Sequence, residues 1–133
     1  MKGKIFITWN VASLQAVRSS NSLVSTNLLS GLVAVFVGTS GIGETALEQF
    51  AKQVVRPVCY IVGRSREVAG KTITECKISN PDGQYIFIKG VVNLMSGVDR
   101  ACEKIMSKES VINLLFLTPM VPDFNRSGMF ITG

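Results

Sequence analysis

The sequence predicts an α/β fold, an open parallel sheet doubly wound by helices into three layers, with about four strands and about three helices. Three observations predict it. Short apolar runs of β-forming residues recur along the chain, bounded by turn residues such as glycine and proline. Between them the apolar spacing switches to steps of three and four, the period of an amphipathic helix. A glycine-rich turn, Gly38-Thr39-Ser40-Gly41-Ile42-Gly43, joins the first run to the first helix.

The first run is Leu32–Val37, continuous and apolar, as a strand buried on both faces must be. From Gly43 the residues Ala46, Leu47, Phe50 and Ala51 form one helical face, with Glu44, Glu48 and Lys52 opposite. Pro57 should stop this helix near Arg56. Val58–Val62 is the second strand, closed by Gly63. A helix follows from Ser65 to Lys77, with Ala69, Ile73 and Cys76 inward. The cluster Asn80-Pro81-Asp82-Gly83 reads as a turn before a third strand, Tyr85–Ile88. Ser96 is placed to cap a third helix, with Asp99 in its first turn and Val98, Ala101, Cys102, Ile105 and Met106 on its inner face. Val111–Leu117 is the fourth strand, and after Pro119 the pattern dissolves.

Composition bounds the function. A chain of 133 residues with 47% hydrophobic residues suits one packed domain and excludes wholesale disorder. The net charge is +5, but the 14 basic residues are dispersed, which argues against a nucleic-acid partner. There is no histidine, and Cys59, Cys76 and Cys102 are too few and too scattered for a zinc site or a disulfide framework. A reducing, cytoplasmic compartment fits that usage. No apolar run reaches the ~18 residues of a membrane span, and the opening stretch is too broken for a signal peptide.

The glycine turn carries the chemistry. A diphosphate must approach the backbone closely and lie against the free amides of a helix N-terminus, and a Cβ would obstruct it. Its place, after a buried strand and before an amphipathic helix, is what a dinucleotide site requires. The second strand then ends in Gly63-Arg64-Ser65. A carboxylate there would hold the ribose 2′-hydroxyl of NAD; an arginine meets the 2′-phosphate of NADP instead. The candidate cofactor-binding residues are therefore Gly38, Thr39, Ser40, Gly41, Ile42, Gly43, Arg64 and Ser65, in a Rossmann-type unit. Residues 31–123 are read as that partial NAD(P)-binding domain and residues 124–133 as a tail. Residues 1–30 are read as an extension and lead-in, whose Ser-, Asn- and Leu-rich part is expected to lie across the sheet.

The segment GLVAVFVGTSGIGE resembles the TGxxxGIG cofactor turn of the short-chain dehydrogenase/reductases, and PVCYIVGRS, YIFIKGVV and INLLFLT follow that family's next three strands. The resemblance runs from Val11 to Asp123, and its flavour is that of fungal members associated with secondary-metabolite tailoring. It implies an NADP-dependent oxidoreductase acting on a small carbonyl or alcohol substrate. It also implies that the catalytic Tyr-x-x-x-Lys half is missing, so no catalytic residue is assigned. Tyr85 and Lys89 have that spacing, but in a strand they stand about 13 Å apart along the axis and cannot share a proton network.

Three positions depart from the family pattern. Only Thr39 and Ser40 separate Gly38 from Gly41 where the family has three residues: either a residue is missing, or Val37 takes the first glycine's place, where a strained backbone would cost about 1–3 kcal/mol. Val91 stands where the family has an Asp, and Met120 stands at the glycine of its NNAG motif. The remaining aromatic residues of the strands, Phe36, Tyr60, Phe87 and Phe116, are expected in the core, and Cys59 and Cys102 inward and inert. The alternative function is a non-catalytic remnant or a nucleotide-binding or dimerisation module. The fourth strand, with no fifth beside it, is expected to present an apolar edge that invites association.

Overall fold

A computed structural model describes residues 11–38 and 41–118. Two helices, α1 (Leu14–Ser22) and α2 (Val24–Asn27), precede the alternating region. That region runs β1 (Val33–Val37), α3 (Ile42–Gln53), β2 (Val58–Gly63), α4 (Arg66–Ser79), β3 (Gln84–Lys89), α5 (Met95–Met106) and β4 (Leu114–Leu117). The strands form one sheet in the order β3-β2-β1-β4, every pair parallel. The chain thus builds outward from β1 through β2 to β3, then crosses back to lay β4 on the other side. That reversal opens a crevice at the carboxyl ends of β1 and β4, where ligands of such sheets bind.

Burial explains the strand sequences. β1 lies between two neighbours and under helices on both faces, so all five of its residues are buried, which an alternating strand would not tolerate. On one face α3 and α4 pack Leu47, Ala51, Ala69 and Cys76 against Ala34, Phe36, Cys59 and Ile61. On the other, α5 packs Ala101 and Ile105 against Val35, Tyr60, Val62 and Ile88. Phe36 and Tyr60 are buried as expected, while Phe87 and Phe116 are half-buried at the flanks. Desolvation pushes the Cys59 thiol up to about 12, so it stays protonated and unreactive.

Several elements differ from the sequence reading, each for a physical reason. α3 ends at Gln53 because Val54 turns extended and buries its side chain, and Arg56, before Pro57, takes a left-handed φ of 49°. α5 is not capped by Ser96. Its N-cap is Leu94, with no side-chain cap, because the turn closed by Leu94 N–H on the Val91 carbonyl (3.3 Å) starts the helix earlier. Ser96 and Asp99 are exposed on its surface. Cys102 and Met106 are exposed, not inward. One stripe of α5, through Ala101 and Ile105, faces the sheet, and the next residue along the helix is already turned about 100° away. β4 begins at Leu114 rather than Val111. Asn113 holds the preceding position with its side chain, Val33 N–H donating to Asn113 Oδ1 (2.9 Å) and Asn113 N–H to the Val33 carbonyl (2.8 Å). The lead-in helices α1 and α2 contain no buried residue, so they do not cover the sheet.

The turn at Asn80 does more than reverse the chain. Its side-chain amide donates to the carbonyls of Ala51 (2.9 Å) and Val54 (2.8 Å), and its own carbonyl accepts from the Tyr85 hydroxyl (2.9 Å). One residue thereby satisfies the open end of α3 and ties it to α4 and β3.

Where α3 meets α4, the carboxylates of Glu44, Glu48 and Glu75 come within 4.8 Å of one another. A hydrogen bond with Glu75, desolvation and the charges of Glu75 and Glu44 together raise the Glu48 carboxyl above its ordinary range. A carboxyl raised by folding favours the native state when protonated, so that contribution is lost as pH climbs through the raised value. Glu48→Gln, which mimics the protonated form, is expected to melt about 1–3 °C above the parent at pH 7. The gain should shrink as pH falls below the ordinary carboxylate range. Melting curves at both pH values check this, and an equal gain at both would contradict it.

Candidate functional site

The candidate residues gather at the carboxyl edge of the sheet. Gly38 leaves β1 with φ +90°, and its N–H reaches across to the Val62 carbonyl of β2 (3.4 Å). Gly41 is the N-cap of α3 with φ +62°, a conformation that side chains rarely adopt. Ile42 opens the helix, largely exposed at the mouth of the turn, and Gly43 is buried in its first turn. Thr39 and Ser40 lie outside the described residues. Arg64 follows β2 on the neighbouring strand and is exposed. Ser65 caps α4, its Oγ accepting from Val68 N–H (3.4 Å). The two groups of residues therefore leave adjacent strands, joined at Val37 and Val62 in register.

The glycines are there for two different reasons. A Cβ at Gly43 would collide with the Gly38 carbonyl, so these two residues are in direct backbone contact and close the turn. A Cβ at Gly38 would come within 2.5 Å of the Thr118 carbonyl oxygen. Among the described residues nothing lies within 4 Å of where a Cβ on Gly41 would stand, so as far as these reach the turn is open on that side. A tight floor and an open top make a cradle of the kind that a phosphate group needs, above the positive end of α3.

The strain expected at Val37 is absent. Val37 is buried within β1, pairs with Val62 and Leu117, and has no positive φ; Gly38 itself takes the left-handed conformation. The missing residue shortens the loop without forcing a β-branched side chain into it. Val91 follows β3, partly exposed, next to a strand exit where Gly90 N–H donates to the Gly63 carbonyl (3.0 Å). Met120 lies outside the described residues. Tyr85 and Lys89 are both in β3; the Tyr85 hydroxyl is spent on Asn80, and burial pushes it up to about 12. That geometry removes them as a proton-transfer pair.

Two contacts escaped the sequence reading, although Thr118 belongs to the stretch Leu117-Thr118-Pro119-Met120 that stands in place of the NNAG motif. Thr118, just past β4, touches the glycine turn through both backbone and side chain. Arg66, two residues beyond Arg64, stacks its guanidinium 5.4 Å over the Phe87 ring. Arg66 had a visible signal, a second cation at the same helix start; its partner did not. A groove of about 340 Å³ elsewhere, lined in part by Tyr60, Ile86, Lys104 and Lys108, includes no residue of the turn.

No family model matches the chain. An oxidoreductase of Emericella variicolor is 42% identical over 107 residues, covering 80% of this chain and 32% of that protein. An oxidoreductase of Emericella nidulans is 37% identical over 110 residues, covering 82% and 32% respectively. Among solved structures, the L-sorbose reductase of Gluconobacter frateurii, complexed with NADPH and L-sorbose, superposes with a TM-score of 0.58 at 27% identity, over 65% of this chain and 32% of that one. The chain is thus similar to fungal oxidoreductases over about four-fifths of its length, and its structural neighbours are short-chain dehydrogenase/reductase enzymes. An NADPH-dependent reductase involved in bacilysin biosynthesis shares the fold, with a TM-score of 0.61 at 22% identity over 74% of this chain and 39% of that one. The chain spans about a third of the length of the curated relatives it matches.

Gly43, in the closed turn, and Gly70, on an open helix face, predict opposite responses to alanine. Gly43→Ala should lose about 1–3 kcal/mol of stability, because its Cβ has no room. Gly70→Ala, inside α4 with open space around it, should gain up to about 1 kcal/mol. Denaturant midpoints of the two variants check the pair; a neutral Gly43→Ala would mean that the turn is not closed as described.

Proposed function

We propose that the chain is the coenzyme-binding part of an NADP-dependent reductase that interconverts small carbonyl compounds and secondary alcohols, in the secondary metabolism of a fungus. The single observation that carries this is the cradle at the sheet edge: Gly38 closed against Gly43 and Thr118, and Gly41 open above them. A dinucleotide fits it. Gly38, Gly41, Ile42 and Gly43 would hold the diphosphate at the first turn of α3, and Thr39 and Ser40 are assigned to the same site from the sequence. Arg64 and Ser65 leave the neighbouring strand at the 2′-phosphate end. The NADPH carried by the sorbose reductase, at a similar fold and sequence, supports the choice of coenzyme.

When bound, the coenzyme supplies the hydride. The chain's own residues hold and orient it: the amides of α3 and the glycine turn neutralise the diphosphate, and Arg64 selects the phosphorylated ribose. Tyr85 and Lys89 do not serve as a proton-transfer pair, since the Tyr85 hydroxyl donates to the Asn80 carbonyl. In this reading the proton donor and the substrate pocket belong to the remaining two-thirds that the relatives have. Residues 31–123 are assigned to the coenzyme domain, and 1–30 and 124–133 flank it. No helix among the described residues is long and apolar enough to cross a membrane.

A second reading has its own observation. Leu115 and Leu117 on β4 are more than half exposed, an apolar strand with one partnered side. That edge supports association with another chain, as a nucleotide-binding or dimerisation module without turnover. One titration separates the two readings. The coenzyme reading expects NADPH to bind about 10–100-fold more tightly than NADH, and Arg64→Ala to abolish most of that preference. Equal affinity for the two coenzymes contradicts the role of Arg64. No binding of either, in a protein that elutes as a dimer on sizing chromatography, favours the association module.

A further inference from the structure

Thr118 touches the phosphate turn at three points. Its N–H donates to the Val37 carbonyl (2.8 Å), continuing the ladder between β4 and β1 by one step. Its hydroxyl sits almost equidistant from two successive carbonyls, Val37 (3.3 Å) and Gly38 (3.2 Å). Its backbone carbonyl and hydroxyl fill the space that a side chain at residue 38 would take, 2.5 and 2.7 Å from the ideal Cβ position. The Val37 carbonyl already has the Thr118 amide. Among the described residues the hydroxyl is the one hydrogen-bond donor to the Gly38 carbonyl.

That carbonyl matters because the turn closes on it. Gly43, in the first turn of α3, is in contact with the Gly38 oxygen, and its ideal Cβ position is also 2.9 Å from the Thr118 hydroxyl. Gly38 is left-handed, a conformation that glycine leaves as easily as it enters. Something must hold its peptide plane. The hydroxyl of Thr118 supplies that hold from the end of β4, on the side of the crevice away from Arg64.

We propose that Thr118 is a positioning residue for coenzyme binding: its hydroxyl fixes the Gly38 carbonyl and thereby presents the glycine turn to the diphosphate. It acts through Gly38. The inference rests on the coenzyme reading above, and it deepens that reading by dividing the site into two independent halves. The diphosphate half depends on β4 through Thr118. The 2′-phosphate half depends on β2 and Arg64 and is indifferent to Thr118.

Two ligands separate the halves. NADPH uses both, whereas adenosine 2′-monophosphate carries the 2′-phosphate and lacks the diphosphate. Isothermal titration of the full chain and of Thr118→Val and Thr118→Ser is the test. Valine keeps the shape and removes the donor; serine keeps the donor. Thr118→Val is expected to weaken NADPH about tenfold, with adenosine 2′-monophosphate held within about twofold, and Thr118→Ser to recover the parent's NADPH affinity. A valine variant that binds NADPH like the parent overturns the proposal, as does equal weakening of both ligands or a serine variant no better than valine. If the parent chain binds neither ligand, the coenzyme reading itself falls and this inference with it.

Discussion

The contact on which the site depends is the approach of two backbones, Gly43 at the start of α3 against the carbonyl of Gly38 at the end of β1. A helix can begin so close to the strand that feeds it only if neither residue has a side chain in the way. The rest of the architecture serves that contact. β1 is central and wholly buried, so its end is fixed in space. Leu47 and Ala51 anchor α3 to the sheet further along, and Thr118 closes the turn from the side of β4. A free N-terminus of a helix, pinned over the crevice between β1 and β4, is the result.

Much of this was legible in the residues. The continuous apolar run at Leu32–Val37 required a strand covered on both faces, and parallel order followed from the helices between the strands. Leu47, Ala51, Ala69 and Cys76 fell on inward faces because helical spacing alone places them there. The glycine turn was legible as a tight strand-to-helix turn because its geometry is local, confined to one strand end and one helix start.

What was not legible depended on contacts distant in sequence. Thr118 lies 80 residues from Gly38, and no pattern in either segment announces the other. Asn80 reads as a turn residue, yet half of its role is to satisfy carbonyls of α3. Cys102 and Met106 were misplaced because periodicity gives the width of an apolar stripe but not how much of it the sheet can cover. The Ser96 cap failed for a related reason. A polar residue at a helix start is a sound local signal, but the turn at Val91–Leu94 had already set the first residue of α5. Strain at Val37 was inferred by counting loop residues, and the structure relieves it by giving the left-handed conformation to Gly38.

The sheet's two edges also differ in character. β3 ends one side with polar Gln84 and Lys89 at its termini, whereas β4 ends the other with Leu115 and Leu117 exposed. The crevice lies beside the apolar edge, so whatever covers β4 also borders the glycine turn. Amide hydrogen exchange with and without saturating NADPH tests the central claim most directly. The account predicts slowed exchange in two places, the first turn of α3 from Ile42 to Leu47 and the start of α4 from Ser65 to Ala69, with the groove beside Tyr60 and Lys108 unchanged. Protection confined to that groove, or none at the first turn of α3, would contradict it.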